Sequence, residues 1–172
     1  MITKINTNFP TETNKRMIDL LYNVSGWFFT FDKGTGKKDI NKPDAGLLFN
    51  CYNNENSYLN NDCLYTYATV IMDIVNNNSP LKFKKLKRIY WNWYNQNSMM
   101  EFHTDDFKDN CHTILYNLHS NDGGTEFKVN DKIDFYKSVE SEALLFPSKI
   151  YHRGIAPKKS LTRFSLNILM EL

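Results

Sequence analysis

Apolar and polar residues alternate along most of the chain that follows Pro80. A period of two is typical of strands with one buried face, because successive side chains of a strand point to opposite sides. Segments rich in Asn, Asp, Ser and Gly separate these runs, as turns do. The pattern predicts eight short strands, over residues 86–95, 100–103, 111–119, 124–129, 132–137, 142–147, 150–154 and 160–170. We therefore expect a mainly β fold with a jelly-roll core.

The first 80 residues have a different pattern. Apolar residues fall on one helical face over residues 11–23 and again over residues 61–78, where Ser79 and Pro80 end the run. Two short strands are predicted, over residues 25–32 and 47–52. We expect a single domain, 1–172, in which 1–80 forms a helical and loop-rich support and 81–172 forms the β core.

Composition narrows the classes of function. The chain has 172 residues, of which 41% are hydrophobic and 23% charged, as in ordinary globular proteins. Its net charge of +2 gives no strong nucleic-acid or membrane signal. The three cysteines form no CxxC pair, no signal peptide is apparent and no apolar run approaches the roughly 20 residues that span a bilayer. We expect a reduced cytoplasmic protein, and the oligomeric state stays open.

The stretch EFHTDDF, residues 101–107, is a candidate metal site, and the alternative is a solvated turn between two strands. His103 and Asp105 are two residues apart, so on an extended chain both side chains face the same side, whereas Asp106, the rival ligand, faces away. A third ligand is needed, and the candidates are His112, His119 and His152. His152 lies in an apolar run that would exclude water from a site, and the other two are predicted to be surface residues. A hydrogen-bonded core histidine is the alternative interpretation of His152.

The last predicted strand carries a candidate anion site. Arg163, Ser165 and Asn167 alternate with apolar residues and share one face. A guanidinium beside a hydroxyl suits a carboxylate, because arginine matches carboxylate geometry. The alternative is an edge strand whose polar face lies in water.

Taken in order, these residues resemble a known family. His-x-Asp, a histidine 49 residues later and then Arg-x-Ser on the last strand are similar to the Fe(II)/2-oxoglutarate-dependent dioxygenase superfamily, with two histidines and a carboxylate as its facial triad. The resemblance covers about residues 81–172 and implies a double-stranded β-helix, a cupin-like jelly roll. The segments GGTEF, at 123–127, and HRGIAP, at 152–157, look like the prolyl-4-hydroxylase-like branch.

The resemblance implies roles for individual residues. Fe(II) would be held by His103, Asp105 and His152, which are both the metal ligands and the catalytic residues. The cosubstrate 2-oxoglutarate would bind to Arg163 and Ser165, with Asn92 and Tyr94 as further contacts. The alternative for Asn92 and Tyr94 is that they only line a packed barrel. O2 would be the oxidant, and ascorbate is a further candidate cofactor.

The resemblance also implies an activity, hydroxylation of a C–H bond with release of succinate and CO2. A peptide or protein side chain such as proline is the first choice of substrate, and a small molecule is the second. A nucleic-acid demethylase is disfavoured, because RFSLNILMEL lacks the second arginine of those enzymes. A non-catalytic, cupin-like binding module remains open. The loops 33–46 and 53–61 are candidate lids over the substrate.

Overall fold

The computed structural model describes residues 1–29, 46–98 and 100–172. Within these residues there are two helices, α1 (Thr11–Asn23) and α2 (Asp62–Asn77). The strands, in chain order, are β1 (Thr3–Asn6), β2 (Phe28–Phe29), β3 (Leu47–Asn53), β4 (Tyr58–Leu59), β5 (Lys85–Asn95), β6 (Cys111–Asn117), β7 (Gly124–Val129), β8 (Lys132–Lys137), β9 (Glu142–Pro147), β10 (Tyr151–Ile155) and β11 (Thr162–Glu171).

The strands form two antiparallel sheets. The major sheet has the order β1-β9-β6-β11-β5-β3-β2, with β4 paired to β3, and the minor sheet has the order β10-β7-β8. Within the major sheet, β11 is central and pairs with β5 on one side and β6 on the other. This is the mainly β, jelly-roll architecture that the strand pattern predicts, and it agrees with the double-stranded β-helix that the family resemblance implies.

The alternation along the strands separates two environments. One face of the major sheet packs against both helices and forms the larger core, to which Trp91, Tyr116 and Phe164 contribute large buried rings. The other face looks toward the minor sheet and contributes Leu115, Leu144 and Phe146 to a smaller cluster around Phe127 of β7. Only part of this second space is filled by apolar side chains, and the polar residues of β5 and β11 share it.

Most predicted elements are confirmed. Both helices lie where the apolar spacing places them, and seven of the eight predicted strands have counterparts in β5 to β11. The strand predicted over residues 100–103 is wrong: it is reduced to one isolated bridge, between His103 and His152. β1 and β4 were not predicted, because with four and two residues they are too short to show a period.

Residues 1–80 do more than support the core. β1 pairs with β9 and β3 pairs with β5, so this segment extends the major sheet on both sides. Of the strand predicted over 25–32, residues 28–29 form β2 and 30–32 lie outside the described residues, as do positions 33–45 of the first candidate lid. The second candidate lid, 53–61, contains a turn and β4. Neither of the described helices is long and apolar enough to cross a bilayer.

Candidate functional site

His103, Asp105 and His152 come together between the two sheets. The backbones of the two histidines pair, with His103 N–H donating to His152 O and His152 N–H donating to His103 O, both at 2.9 Å. Their imidazole centroids are 4.5 Å apart. One candidate ligand atom from each of the three residues lies within 4.8 Å of the other two, and His152 Nε2 is 3.5 Å from Asp105 Oδ2. This arrangement suits one metal ion held by two imidazoles and one carboxylate.

The backbone also orients both rings. His103 Nδ1 lies 3.0 Å from the carbonyl oxygen of Glu101, and His152 Nδ1 lies 2.9 Å from that of Ile150. A carbonyl oxygen only accepts, so each Nδ1 carries the proton and each Nε2 keeps its lone pair for a metal. His152 is also enclosed by the rings of Phe127 and Phe146, which shield it from water.

The Asp105 carboxylate is held from several sides. Its Oδ1 accepts from Arg88 Nη2 at 3.0 Å, and its Oδ2 accepts from Thr113 Oγ1 at 2.9 Å and from Asn167 Nδ2 at 3.0 Å. The carboxylate side chain is fully buried. Sequence reasoning did not assign Arg88, Thr113 or Asn167 to the metal site. The only signal was that Arg88 and Asn167 stand on the polar faces of their strands.

Asp106, the rival ligand, lies elsewhere. Its Oδ2 accepts from Lys87 Nζ at 2.5 Å, and its Oδ1 accepts from the Lys108 amide at 3.0 Å. Partial burial opposes the ionised form, but these hydrogen bonds outweigh it and lower the pKa of Asp106. The Asp106 carboxylate is therefore engaged in an ion pair with Lys87.

Arg163 is a buried cation facing the same space. Its side chain is 1% exposed, and Nη2 donates to Thr125 Oγ1 at 3.1 Å. In the described part of the chain, its Nε and Nη1 have no hydrogen-bond partner, and neither does the buried hydroxyl of Ser165. Burial lowers the pKa of Arg163, but a guanidinium keeps its charge in proteins. Burying a charge whose donors have no partner costs free energy, and a bound anion would offset this cost by accepting hydrogen bonds from Arg163.

Tyr94 and Asn92 lie opposite these residues. In the register of β5 and β11, Tyr94 is paired with Arg163 and Asn92 with Ser165, and the Arg163 guanidinium carbon is 5.1 Å from the Tyr94 ring centroid. Burial raises the pKa of Tyr94 to about 12; the nearby Arg163 charge lowers this pKa and the Asp105 charge raises it. The phenol therefore stays protonated at neutral pH and can donate a hydrogen bond. Gly154 makes room for it, since a Cβ there would lie 2.9 Å from the phenol oxygen.

These side chains line one pocket that opens to solvent, with an empty volume of about 360 Å³ including its mouth. Its lining combines residues of both sheets: Tyr90, Asn92, Tyr94, Met100, His103, Leu115, Thr125, His152, Gly154, Arg163 and Asn167. The two candidate histidine ligands and Arg163 therefore line the same pocket.

The two other histidines lie outside this cluster. His112, predicted to be at the surface, is buried with an exposure of 8%, because it lies within β6 and packs against Phe83; the surface prediction was wrong. His119 is half-buried, and its Nε2 lies 3.0 Å from the carbonyl oxygen of Thr162. Neither belongs to a group of metal-ligating side chains among the described residues.

Neither a family model nor a curated protein matches the chain. Solved structures do match. A 2OG-Fe(II) oxygenase family oxidoreductase from Burkholderia pseudomallei has a TM-score of 0.72 at 11% identity, with 99% of this chain and 84% of that chain covered. A prolyl hydroxylase from Trichoplax adhaerens, in complex with a hypoxia inducible factor peptide fragment, has a TM-score of 0.69 at 13% identity, with 99% and 83% covered. HygX from Streptomyces hygroscopicus, with nickel and 2-oxoglutarate bound, has a TM-score of 0.64 at 11% identity, with 99% and 82% covered.

The chain has the fold of the 2-oxoglutarate-dependent Fe(II) oxygenases. The fold implied by the sequence resemblance is thereby confirmed, and prolyl hydroxylases are among the structures that share it. In this oxygenase fold, the polar face of β11 is not an edge in water, because β11 is paired on both sides and Arg163 is buried.

Proposed function

We propose that this protein is an Fe(II)- and 2-oxoglutarate-dependent dioxygenase that hydroxylates a C–H bond. One observation carries the proposal: the ligand atoms of His103, Asp105 and His152 lie within 4.8 Å of one another, and the two histidines line a pocket together with Arg163, whose Nε and Nη1 have no partner among the described residues. The donor set fits a ferrous ion with open coordination positions, and the buried cation fits a dicarboxylic cosubstrate. Fe(II) bound with 2-oxoglutarate supplies O2-driven oxidation of the substrate, releasing succinate and CO2.

The roles of the protein side chains follow from their positions. His103 and His152 hold the metal through their Nε2 atoms, and Asp105 holds it through a carboxylate oxygen. Arg163 and Ser165 bind the far carboxylate of 2-oxoglutarate, and the protonated phenol of Tyr94 donates to the same group. Asn92, opposite Ser165, completes this end of the pocket. The phenylalanines around His152 keep water away from the metal.

The preferred substrate class is a peptide or protein side chain, as in prolyl-4-hydroxylases. The support is the likeness to a prolyl hydroxylase solved with a peptide fragment, together with the GGTEF and HRGIAP segments. A small-molecule hydroxylase is the second candidate, because HygX, with a TM-score of 0.64, has also been solved with hygromycin B bound. Ascorbate is a candidate reductant for either.

Anaerobic titration with Fe(II) and 2-oxoglutarate tests the proposal. A bidentate keto acid on ferrous iron gives a weak visible charge-transfer band, and we expect the wild-type protein to show it. A cupin-like binding module would show no such band, and its absence would refute the dioxygenase proposal. Succinate release would then be screened against proline peptides, free amino acids and methylated nucleobases, and stimulation by the peptides alone would support the preferred class.

A further inference from the structure

Asp105 lies in a segment that has little regular structure of its own. Residues 104–110 belong to no strand, and the described backbone contacts of Asp105 reach across to Ser148, whose carbonyl oxygen accepts its amide at 3.0 Å. A carboxylate on such a segment can rotate about two side-chain bonds. A metal site needs one of its oxygens at a fixed place, so other side chains must fix the rotation.

Arg88 of β5 is placed to do so. Its Nη2 donates to Asp105 Oδ1 at 3.0 Å, while the oxygen nearest His152 Nε2 is Oδ2. The guanidinium also stacks over Tyr90, with its central carbon 4.3 Å from the ring centroid. The stacking fixes the plane of the guanidinium, and the hydrogen bond transfers that orientation to the carboxylate.

Charge favours the same arrangement. A fully buried carboxylate is costly without a partner, and Arg88, itself mostly buried, supplies a permanent positive charge. Because Arg88 contacts Oδ1, it does not occupy the oxygen that faces the imidazole of His152. Thr113 and Asn167 both donate to Oδ2 and together use its two lone-pair sites. The Thr113 hydroxyl also lies 3.0 Å from Ser148 Oγ and can donate there instead, which frees one site on Oδ2 for a metal.

We propose that Arg88 is a positioning residue for the metal site, which holds Oδ1 of Asp105 so that Oδ2 faces His152. This inference rests on the proposed function, in that it assumes these three residues bind a metal. Arg88 itself does not touch the metal, and its effect passes entirely through Asp105. Partners of this kind change metal affinity by about 10- to 100-fold when they are removed.

The chain contains a matched control in Lys87. Lys87 and Arg88 are adjacent on β5, Asp106 and Asp105 are adjacent in the loop, and each basic residue pairs with one of the two aspartates. Both basic side chains are similarly buried, with exposures of 12% and 17%. Removing Lys87 therefore breaks a comparable ion pair to the same loop without freeing any of the three proposed metal ligands.

The test is Mn(II) binding to the apoprotein, measured by loss of the free-ion EPR signal without cosubstrate or turnover. We expect Arg88→Met to weaken binding about 10- to 100-fold and Lys87→Met to leave it within about twofold of wild type. Thermal unfolding of both variants compares their general loss of stability. If Arg88→Met does not fold, Arg88→Gln, which keeps a polar side chain without the charge, is expected to weaken binding at least about fivefold.

The outcomes separate the two proposals. If the wild-type protein binds Mn(II) and the Arg88→Met variant binds it equally well, the role of Arg88 is overturned and the dioxygenase proposal stands. The same holds for Arg88→Gln where it replaces Arg88→Met. If Lys87→Met weakens Mn(II) binding as much as Arg88→Met does, the role of Arg88 is also overturned. Loss of any ion pair that holds the loop would then explain the effect. Wild-type protein that binds no Mn(II) overturns the metal site and the role of Arg88 with it.

Discussion

His103 and His152 are backbone neighbours although 49 residues separate them in sequence, each donating its amide to the carbonyl of the other at 2.9 Å. In a narrow antiparallel pair of this kind, directly opposed side chains lie on the same side of the two strands. The backbone pairing therefore places the two imidazoles next to each other. Their Nδ1 atoms are also engaged by backbone carbonyls, so the backbone fixes the orientation of both rings.

Replacing His152 tests the proposed metal site directly. His152→Ala removes one of three ligands and should abolish the charge-transfer band that Fe(II) and 2-oxoglutarate produce under anaerobic conditions. His112→Gln is the control, since His112 is also a buried histidine but lies outside the cluster. Loss of the band in the control, with the band retained in His152→Ala, would remove the proposed triad.

Local rules in the sequence accounted for part of the candidate site, whereas the choice of His152 as third ligand and of Arg163 as an anion site depended on the family resemblance. Residues two apart share a side, and an apolar run around His152 indicates burial. The alternation along β11 likewise predicted which of its side chains share a face, and Phe164, Leu166 and Ile168 are indeed in the helix-side core.

Cross-strand register could not be predicted in the same way. Asn167 reaches Asp105 across 62 residues of sequence, and Arg88 reaches it across 17. Neither contact leaves a period or a motif in the chain, because it depends on how strands align after folding. The strand predicted over 100–103 failed for a related reason: its apolar residues suit a strand, but only His103 finds a bridging partner.

Replacing Arg163 should weaken cosubstrate binding and leave the metal in place. Hydrogen bonds to a charged group contribute about 1.5–3 kcal/mol, so Arg163→Met should raise the KM for 2-oxoglutarate by about 10- to 100-fold. Mn(II) affinity without 2-oxoglutarate should stay near the wild-type value, because Arg163 contacts none of the proposed ligands in the described structure. Arg153→Met is the control, since Arg153 pairs with Glu126 instead. An unchanged 2-oxoglutarate requirement would refute the anion role.

Gly154 should affect stability and cosubstrate binding through its contact with Tyr94. A Cβ at Gly154 would lie 2.9 Å from both Cζ and the hydroxyl oxygen of Tyr94, which is too close, and the phenol would have to move. We expect Gly154→Ala to cost about 1–3 kcal/mol of stability and to raise the 2-oxoglutarate KM several-fold. The same substitution in a Tyr94→Leu background should cost much less, because the obstructing phenol is gone. Equal costs in the two backgrounds would show that Tyr94 is not the obstacle.

The raised pKa of Tyr94 predicts how stability changes at high pH. In the unfolded chain this phenol ionises near its ordinary value of 10.0, whereas burial raises its folded pKa to about 12. The unfolded state therefore loses its proton first, and the contribution to stability is complete below pH 10 and lost as pH rises toward 12. Relative to Tyr94→Phe, which has no such proton, wild-type protein should lose up to about 2–3 kcal/mol over this range. Urea unfolding of both proteins at pH 8, 10 and 11 measures the difference. Parallel curves would mean that the phenol is not buried as described, and its role as a protonated donor to the cosubstrate would lose its support.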